Sequence, residues 1–334
     1  MMPHKGILVI SLDFELYWGV RDKIALDQYS RNLLGVRSVI PRLLDIFGEY
    51  GIHATWAVVG LLACDDLNEL VGYLPKSLPA YINKNLSPYE DLLRIGKCEM
   101  EDFFHYGASL IRLIFNNKGQ ELGSHTFGHY YCMEDGQDID AFREDLIAAV
   151  NLFDKKYDVK IRSLIFPRNQ IREDYIGVCI EQGIVAYRGN QKNWLYKARK
   201  DMDETILIRF LRVLDSYINI FGHATYHISL PDPGWPLNIM ASRFLRPYSR
   251  NIALLEKVRM RRILNDLTFA ARNHEIYHLW WHPHNFGRDI EGNIKFLRKI
   301  LDHYLMLNKQ FGFSCMNMGE VAEWIVSKRT LANN

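Results

Sequence analysis

ILVISLDF, Ile7 to Phe14, is short, apolar and rich in β-branched residues, the composition of a buried strand. Side chains alternate along a strand, so Val9, Ser11, Asp13 and the following Glu15 share one face, and Ile10, Leu12 and Phe14 the other. Two carboxylates therefore emerge together at the C-terminal end. An acid pair closing an apolar strand is costly unless a cation or metal partners it. The plain alternative is a solvated strand end that caps a neighbouring helix. Working outward, residues 31–50 carry Leu33, Leu34, Val36, Ile40, Leu43, Leu44 and Phe47 at helical spacing. GIHATWAVVG, Gly51 to Gly60, reads as a second buried strand. Strand, helix, strand is the signature of a parallel α/β fold.

Residues 61–118 break the alternation with polar, proline-containing helical stretches and read as an insertion. A short third strand then leads into ELGSHTFGHYYC, Glu121 to Cys132. On a helical turn, His125 and His129 would share a face and could reach one metal ion. The bland alternative is one exposed and one core histidine. A helix is expected at 138–157, then the strand SLIFP, Ser163 to Pro167, with Arg168, Asn169 and Gln170 at its end. A helix at 172–182 precedes the strand IVAYRG, Ile184 to Gly189. Residues 190–249, with PDPGWP and RFLRPYSR, read as a loop-rich excursion. A helix at 251–272 feeds the strand EIYHLWWHPH, Glu275 to His284. A helix at 292–309, a strand FGFSC and a helix at 318–328 follow. The expectation is one domain over residues 1–334 with insertions at about 61–118 and 190–249, folded as a barrel or a doubly wound sheet. In a barrel, chemistry gathers at the C-terminal strand ends. Asp13, Glu15, His125, His129, Arg168 and His282 all stand at such ends in this reading.

Composition narrows the function classes. A formal net charge of +2 argues against a general nucleic-acid binder. The five cysteines are scattered and never form CxxC, which suggests a reduced compartment and no disulfide framework. The N-terminal stretch reads as too short for a signal peptide, and no apolar run approaches a membrane span. A cytoplasmic protein is expected. The 18 Tyr, 17 Phe and 7 Trp suit a packed core and a sugar-binding cleft equally.

In chain order, SLDFE, ATWAVVG, ELGSHTFGH, FPRNQ and HLWWHPH resemble the motif series of the polysaccharide deacetylase family, carbohydrate esterase family 4. The resemblance implies an α/β fold, a distorted seven-stranded (β/α) barrel with helical and loop insertions. It implies a hydrolase that removes an acetyl group from an N-acetylated sugar, here expected to be a bacterial surface-polysaccharide precursor. It also implies a divalent metal held by His125, His129 and a carboxylate; Zn²⁺ suits such a set, as do Co²⁺, Ni²⁺ and Fe²⁺. Asp13 would act as general base, His282 as general acid, and Arg168 would hold Asp13 ionised. The family pattern has two adjacent aspartates, whereas here the order is Asp13-Phe14-Glu15. Glu15 is therefore the assigned third ligand, with the reverse assignment of Asp13 and Glu15 left open. Asn169, Trp281 and His284 are the candidate substrate contacts, although at least one ring of Trp280-Trp281 is expected in the core. His278 is expected to be interior, and His223 and His227 structural. The basic stretch from Arg243 to Arg262 reads as a solvated helix face, or more sharply as a clamp for phosphates of an activated or lipid-linked sugar. A cyclic-amide or ureide hydrolase of the same fold and a non-catalytic sugar-binding protein are the competing functions.

Overall fold

The computed structural model describes residues 5–228 and 234–332, so residues 231–233 of PDPGWP lie outside it. The strands are β1 (Ile7–Phe14), β2 (Ala54–Val58), β3 (Gln120–Ser124), β4 (Ser163–Leu164), β5 (Ala186–Tyr187), β6 (Leu237–Asn238), β7 (Arg243–Phe244), β8 (Ile276–Trp281) and β9 (Ser314–Cys315). The helices are α1 (Leu26–Tyr50), α2 (Leu67–Gly72), α3 (Ala108–Phe115), α4 (Ile139–Tyr157), α5 (Ile176–Glu181), α6 (Ile206–Asp215), α7 (Ala253–Asn273), α8 (Ile290–Phe311) and α9 (Met318–Ala332). No helix among the described residues is long and apolar enough to cross a membrane.

The strands form one curled sheet in the order β6-β5-β4-β3-β2-β1-β8-β7, with β9 against the start of β1. The strand pairings are parallel, as expected where helices cross over between strands. The result is a half-barrel centred on β1, all eight residues of which are buried. Strand alternation divides that burial. Leu8, Ile10, Leu12 and Phe14 pack outward in the large core with residues of α1, α7 and α8. Ile7 and Val9 point inward, where Met318, Val321, Ala322 and Ile325 of α9 fill the base of the half-barrel. Continuing along the inner face, Ser11 and Asp13 follow, and the lining turns from apolar to polar towards the C-terminal strand ends.

Seven strands are expected from the sequence, and the sheet has nine among the described residues. The difference arises in residues 190–249, read as a loop excursion, which supply α6, β6 and β7. Two-residue strands are too short to show an alternating pattern, so they escape a periodicity reading.

Candidate metal centre

Glu15 lies one residue past β1, where the backbone leaves the strand at φ −127°, ψ −16°. Its Oε2 sits 3.1 Å from Nε2 of His129 and 3.4 Å from Nε2 of His125. All three side chains are buried, and their potential ligand atoms lie within 4.8 Å of one another. The far side of each imidazole is fixed. His125 Nδ1 bonds the Ile165 carbonyl at 2.8 Å, and His129 Nδ1 bonds the Tyr131 hydroxyl at 3.0 Å. A carbonyl only accepts, so His125 Nδ1 carries the proton and Nε2 offers a lone pair. Burial pushes the His129 pKa down to about 4, which keeps that ring neutral and able to ligate near neutral pH. Two imidazoles and a carboxylate aimed at one point are a donor set that fits a divalent ion.

The histidines do not meet on a helical turn, as their spacing suggests. Residues 125–132 form a loop in which Thr126 (φ 63°) and His129 (φ 57°) are left-handed. Leu16, Arg168 and Asn169 are left-handed too, so strained backbone collects at the strand ends around this centre. Asp145 of α4 clasps the loop by accepting from the Phe127 and Gly128 amides at 2.6 and 2.9 Å. Burial pushes the Asp145 pKa up to about 6. A raised carboxylate contributes stability that is complete below its ordinary pKa of 3.8 and is lost as pH rises through about 6. Asp145→Ala should strand two buried amides at about 1–3 kcal/mol each. It should also loosen the loop, which denaturant midpoints and metal content would together record. Wild-type stability and full metal content in that variant would refute the clasp.

Asp13 is held by Arg188, whose Nη1 and Nη2 each donate to a carboxylate oxygen at 2.7 Å. Arg188 is itself buried, lies 4.0 Å over the Trp280 ring, and donates to Asn169 Oδ1 at 3.1 Å. Burial pushes the Asp13 carboxyl up, but Arg188, with His125 and His282, outweighs it and holds it below the usual range. Burial likewise pushes Glu15 up, and His282, His125 and His129 pull it well below. His282 Nε2 stands between the two acids, 3.7 Å from Asp13 and 3.6 Å from Glu15, and Nδ1 lies 3.3 Å from Asn285 Oδ1. His284 stacks on His282 with centroids 4.9 Å apart, and burial pushes its pKa down to about 3.

The structure thus brings Asp13, Glu15, His125, His129, Asn169, His282 and His284 together. Two expected contacts are corrected. Arg168 does not hold Asp13: it pairs with Asp22 and lies 4.2 Å over Tyr131, because its left-handed backbone turns it away from β1. Trp281 does not face the cleft. It is on the outer side of β8, packed against Phe47 and Phe286, while Trp280 shares the inner side with His282. The basic stretch is a solvated face only in part: Arg250, Lys257 and Arg261 are exposed, whereas Arg243 and Arg262 are buried against Asp266, and Arg259 against Glu256. His223 bonds Asp266, and His278 is buried and bonded to Ser11. Arg188 was missed, although it ends the strand IVAYRG and the same strand-end criterion would have selected it.

Gly19 guards the space beside Glu15, because a Cβ there would overlap the Glu15 carboxylate. Gly19→Ala should therefore lower metal content more than it lowers the melting temperature. A fully metal-loaded Gly19→Ala protein would show that the carboxylate has room to move.

No protein-family model matches the chain, and no curated protein matches its sequence. The fold has clear counterparts. A Mycobacterium smegmatis protein named as a polysaccharide deacetylase superposes with a TM-score of 0.62 at 14% identity, covering 98% of this chain and 93% of that one. A Pseudomonas aeruginosa PAO1 protein, also named as a polysaccharide deacetylase, superposes with a TM-score of 0.54 at 9% identity, covering 96% and 90%. The chain has the polysaccharide-deacetylase fold.

Proposed function

We propose that this protein is a metal-dependent hydrolase that removes the acetyl group from an N-acetylated sugar, a precursor of a bacterial surface polysaccharide. The observation that carries the reading is the buried Glu15–His125–His129 group beside an Arg188-held Asp13 and a partly exposed His282. Glu15, His125 and His129 would hold the ion, with Zn²⁺ the first candidate. When bound, such an ion supplies Lewis acidity, which polarises an amide carbonyl and lowers the pKa of water. Asp13, kept ionised by Arg188, accepts the proton of the attacking water. His282 delivers a proton from Nε2 to the departing nitrogen, with Asn285 bracing Nδ1. Asn169 steadies Arg188, and Trp280 offers an aromatic wall for the sugar. The products are acetate and an amino sugar.

The test is elemental mass spectrometry on the wild type and on a His125→Ala, His129→Ala variant, followed by acetate release from N-acetylated sugars. Near-stoichiometric metal and acetate release should both vanish in the variant. Absence of metal from both proteins after reconstitution would overturn the reading.

A further inference from the structure

A cavity of about 230 Å³ opens beside the centre, with Asn169, Trp280 and Phe244 on its near wall. Its lining is strongly cationic: Arg168, Lys197, Arg199, Arg212, Arg243 and Arg246 face a single carboxylate, Glu204. Most of these cations are already engaged. Arg168 pairs with Asp22, Arg212 with Glu204, and Arg243 with Asp266. Arg199 is spent on the carbonyls of Trp194, Leu195 and Lys197. The side chains of Arg246 and Lys197 have no hydrogen bond or ion pair to any described residue. Arg246 lies 6.0 Å from the centroid of the Phe244 ring, which is itself 5.7 Å from the His282 ring. Arg246 thus stands one aromatic ring away from the candidate general acid, and Lys197 lines the same cavity. An arginine fork in a partly dehydrated pocket matches the oxygens of a phosphoryl group.

A second observation concerns the helix that walls this cavity. Arg212 of α6 and the adjoining Ser216 line it, so that side of α6 faces the protein. The opposite side is apolar and exposed: Ile206 is 87% exposed, Leu207 64% and Phe210 59%. Trp194, Ile218 and Ile220 in the flanking segments are exposed too, and the exposed cations Arg209 of α6 and Lys192 stand in the same stretch of chain. An exposed apolar helical face that carries Arg209 complements an anionic lipid surface.

We infer that the sugar substrate carries a phosphoryl group held by Arg246 and Lys197, and that it is presented from a lipid bilayer on which the outer face of α6 lies. The sugar end of this inference rests on the hydrolase reading above; the phosphate and lipid ends do not. Helix α6 lies between the two, with Arg212 on the wall of the phosphate pocket and its outer side on the membrane.

The phosphate end is tested without turnover. Inorganic phosphate should raise the melting temperature of the wild type, and Arg246→Gln should abolish that rise. The lipid end is tested by co-sedimentation. The wild type should pellet with phosphatidylglycerol vesicles, and an Ile206→Glu, Phe210→Glu variant, checked as folded by circular dichroism, should stay in solution. With turnover, kcat/KM should be about 10–100-fold higher for a phosphate-bearing N-acetylated sugar than for the free sugar, and Arg246→Gln should erase that preference. Equal kcat/KM on both sugars, or a phosphate response unchanged in Arg246→Gln, would overturn the phosphate site. Wild-type protein that ignores the vesicles and turns over a nucleotide-linked sugar as fast as a lipid-linked one would overturn the membrane face. Phosphate and vesicle binding without acetate release from any sugar would instead count against the hydrolase reading alone.

Discussion

Replacing Arg188 by methionine should cost about 3–5 kcal/mol of folding stability, because it strands a carboxylate in a buried site. Asp13 receives both of its short hydrogen bonds from this one guanidinium, and the pair sits on the inner face of the half-barrel away from water. Burial alone drives the Asp13 carboxyl upward, so the variant should protonate it rather than bury a bare charge. The sign of the pH dependence follows. A lowered carboxylate contributes stability above its ordinary pKa of 3.8 and loses it as pH falls. The stability gap between wild type and variant should therefore be widest near neutral pH and narrow in acid. Activity should move the same way, with the acid limb of the pH–rate profile displaced upward as the base becomes harder to ionise. Arg168→Met is the informative comparison, since Arg168 pairs with Asp22 and should leave that limb in place. A displaced limb in Arg168→Met and an unmoved one in Arg188→Met would reverse this assignment.

The second large effect separates the two acids. Glu15→Gln should remove most of the bound metal, because a neutral amide replaces the only anionic donor of the three. Asp13→Asn should retain the metal and lose about 10²–10⁴-fold in kcat, the usual share of a general base. It keeps one acceptor oxygen for Arg188, which limits the structural damage. Metal content and acetate release measured on the same preparations decide the matter. Metal loss in Asp13→Asn with retention in Glu15→Gln would exchange the two roles.

Much of this centre is legible in the linear sequence because it follows from strand alternation. Val9, Ser11, Asp13 and Glu15 are placed on one face by counting, and the structure shows that face turning from the α9-filled base to the carboxylates. The His125–His129 spacing brings two rings together, although by a left-handed loop rather than a helical turn. What stays hidden depends on direction. Arg168 and Arg188 both close strands, and only the positive φ of Arg168 and its pairing with Asp22 tell them apart. Neighbouring Trp280 and Trp281 must face opposite ways, and alternation from His282 assigns Trp280 inward. The excursion conceals β6, β7 and α6 because two-residue strands and an outward-facing apolar helix carry no inward-facing period.

The bond from His125 to the Ile165 carbonyl also sets an order of events. Glu15, His125 and Ile165 are far apart in the chain, and each is placed only when β1, β2, β3 and β4 lie side by side. An unfolded or half-paired chain would offer scattered histidines but no ready pocket. On the proposed reading, an ion would enter last, like a rivet through layers already aligned. Its affinity would then add to the global unfolding free energy and not to any local helix or hairpin. Chelation should consequently lower the resistance of the whole half-barrel to unfolding, and metal occupancy would serve as a readout of completed folding.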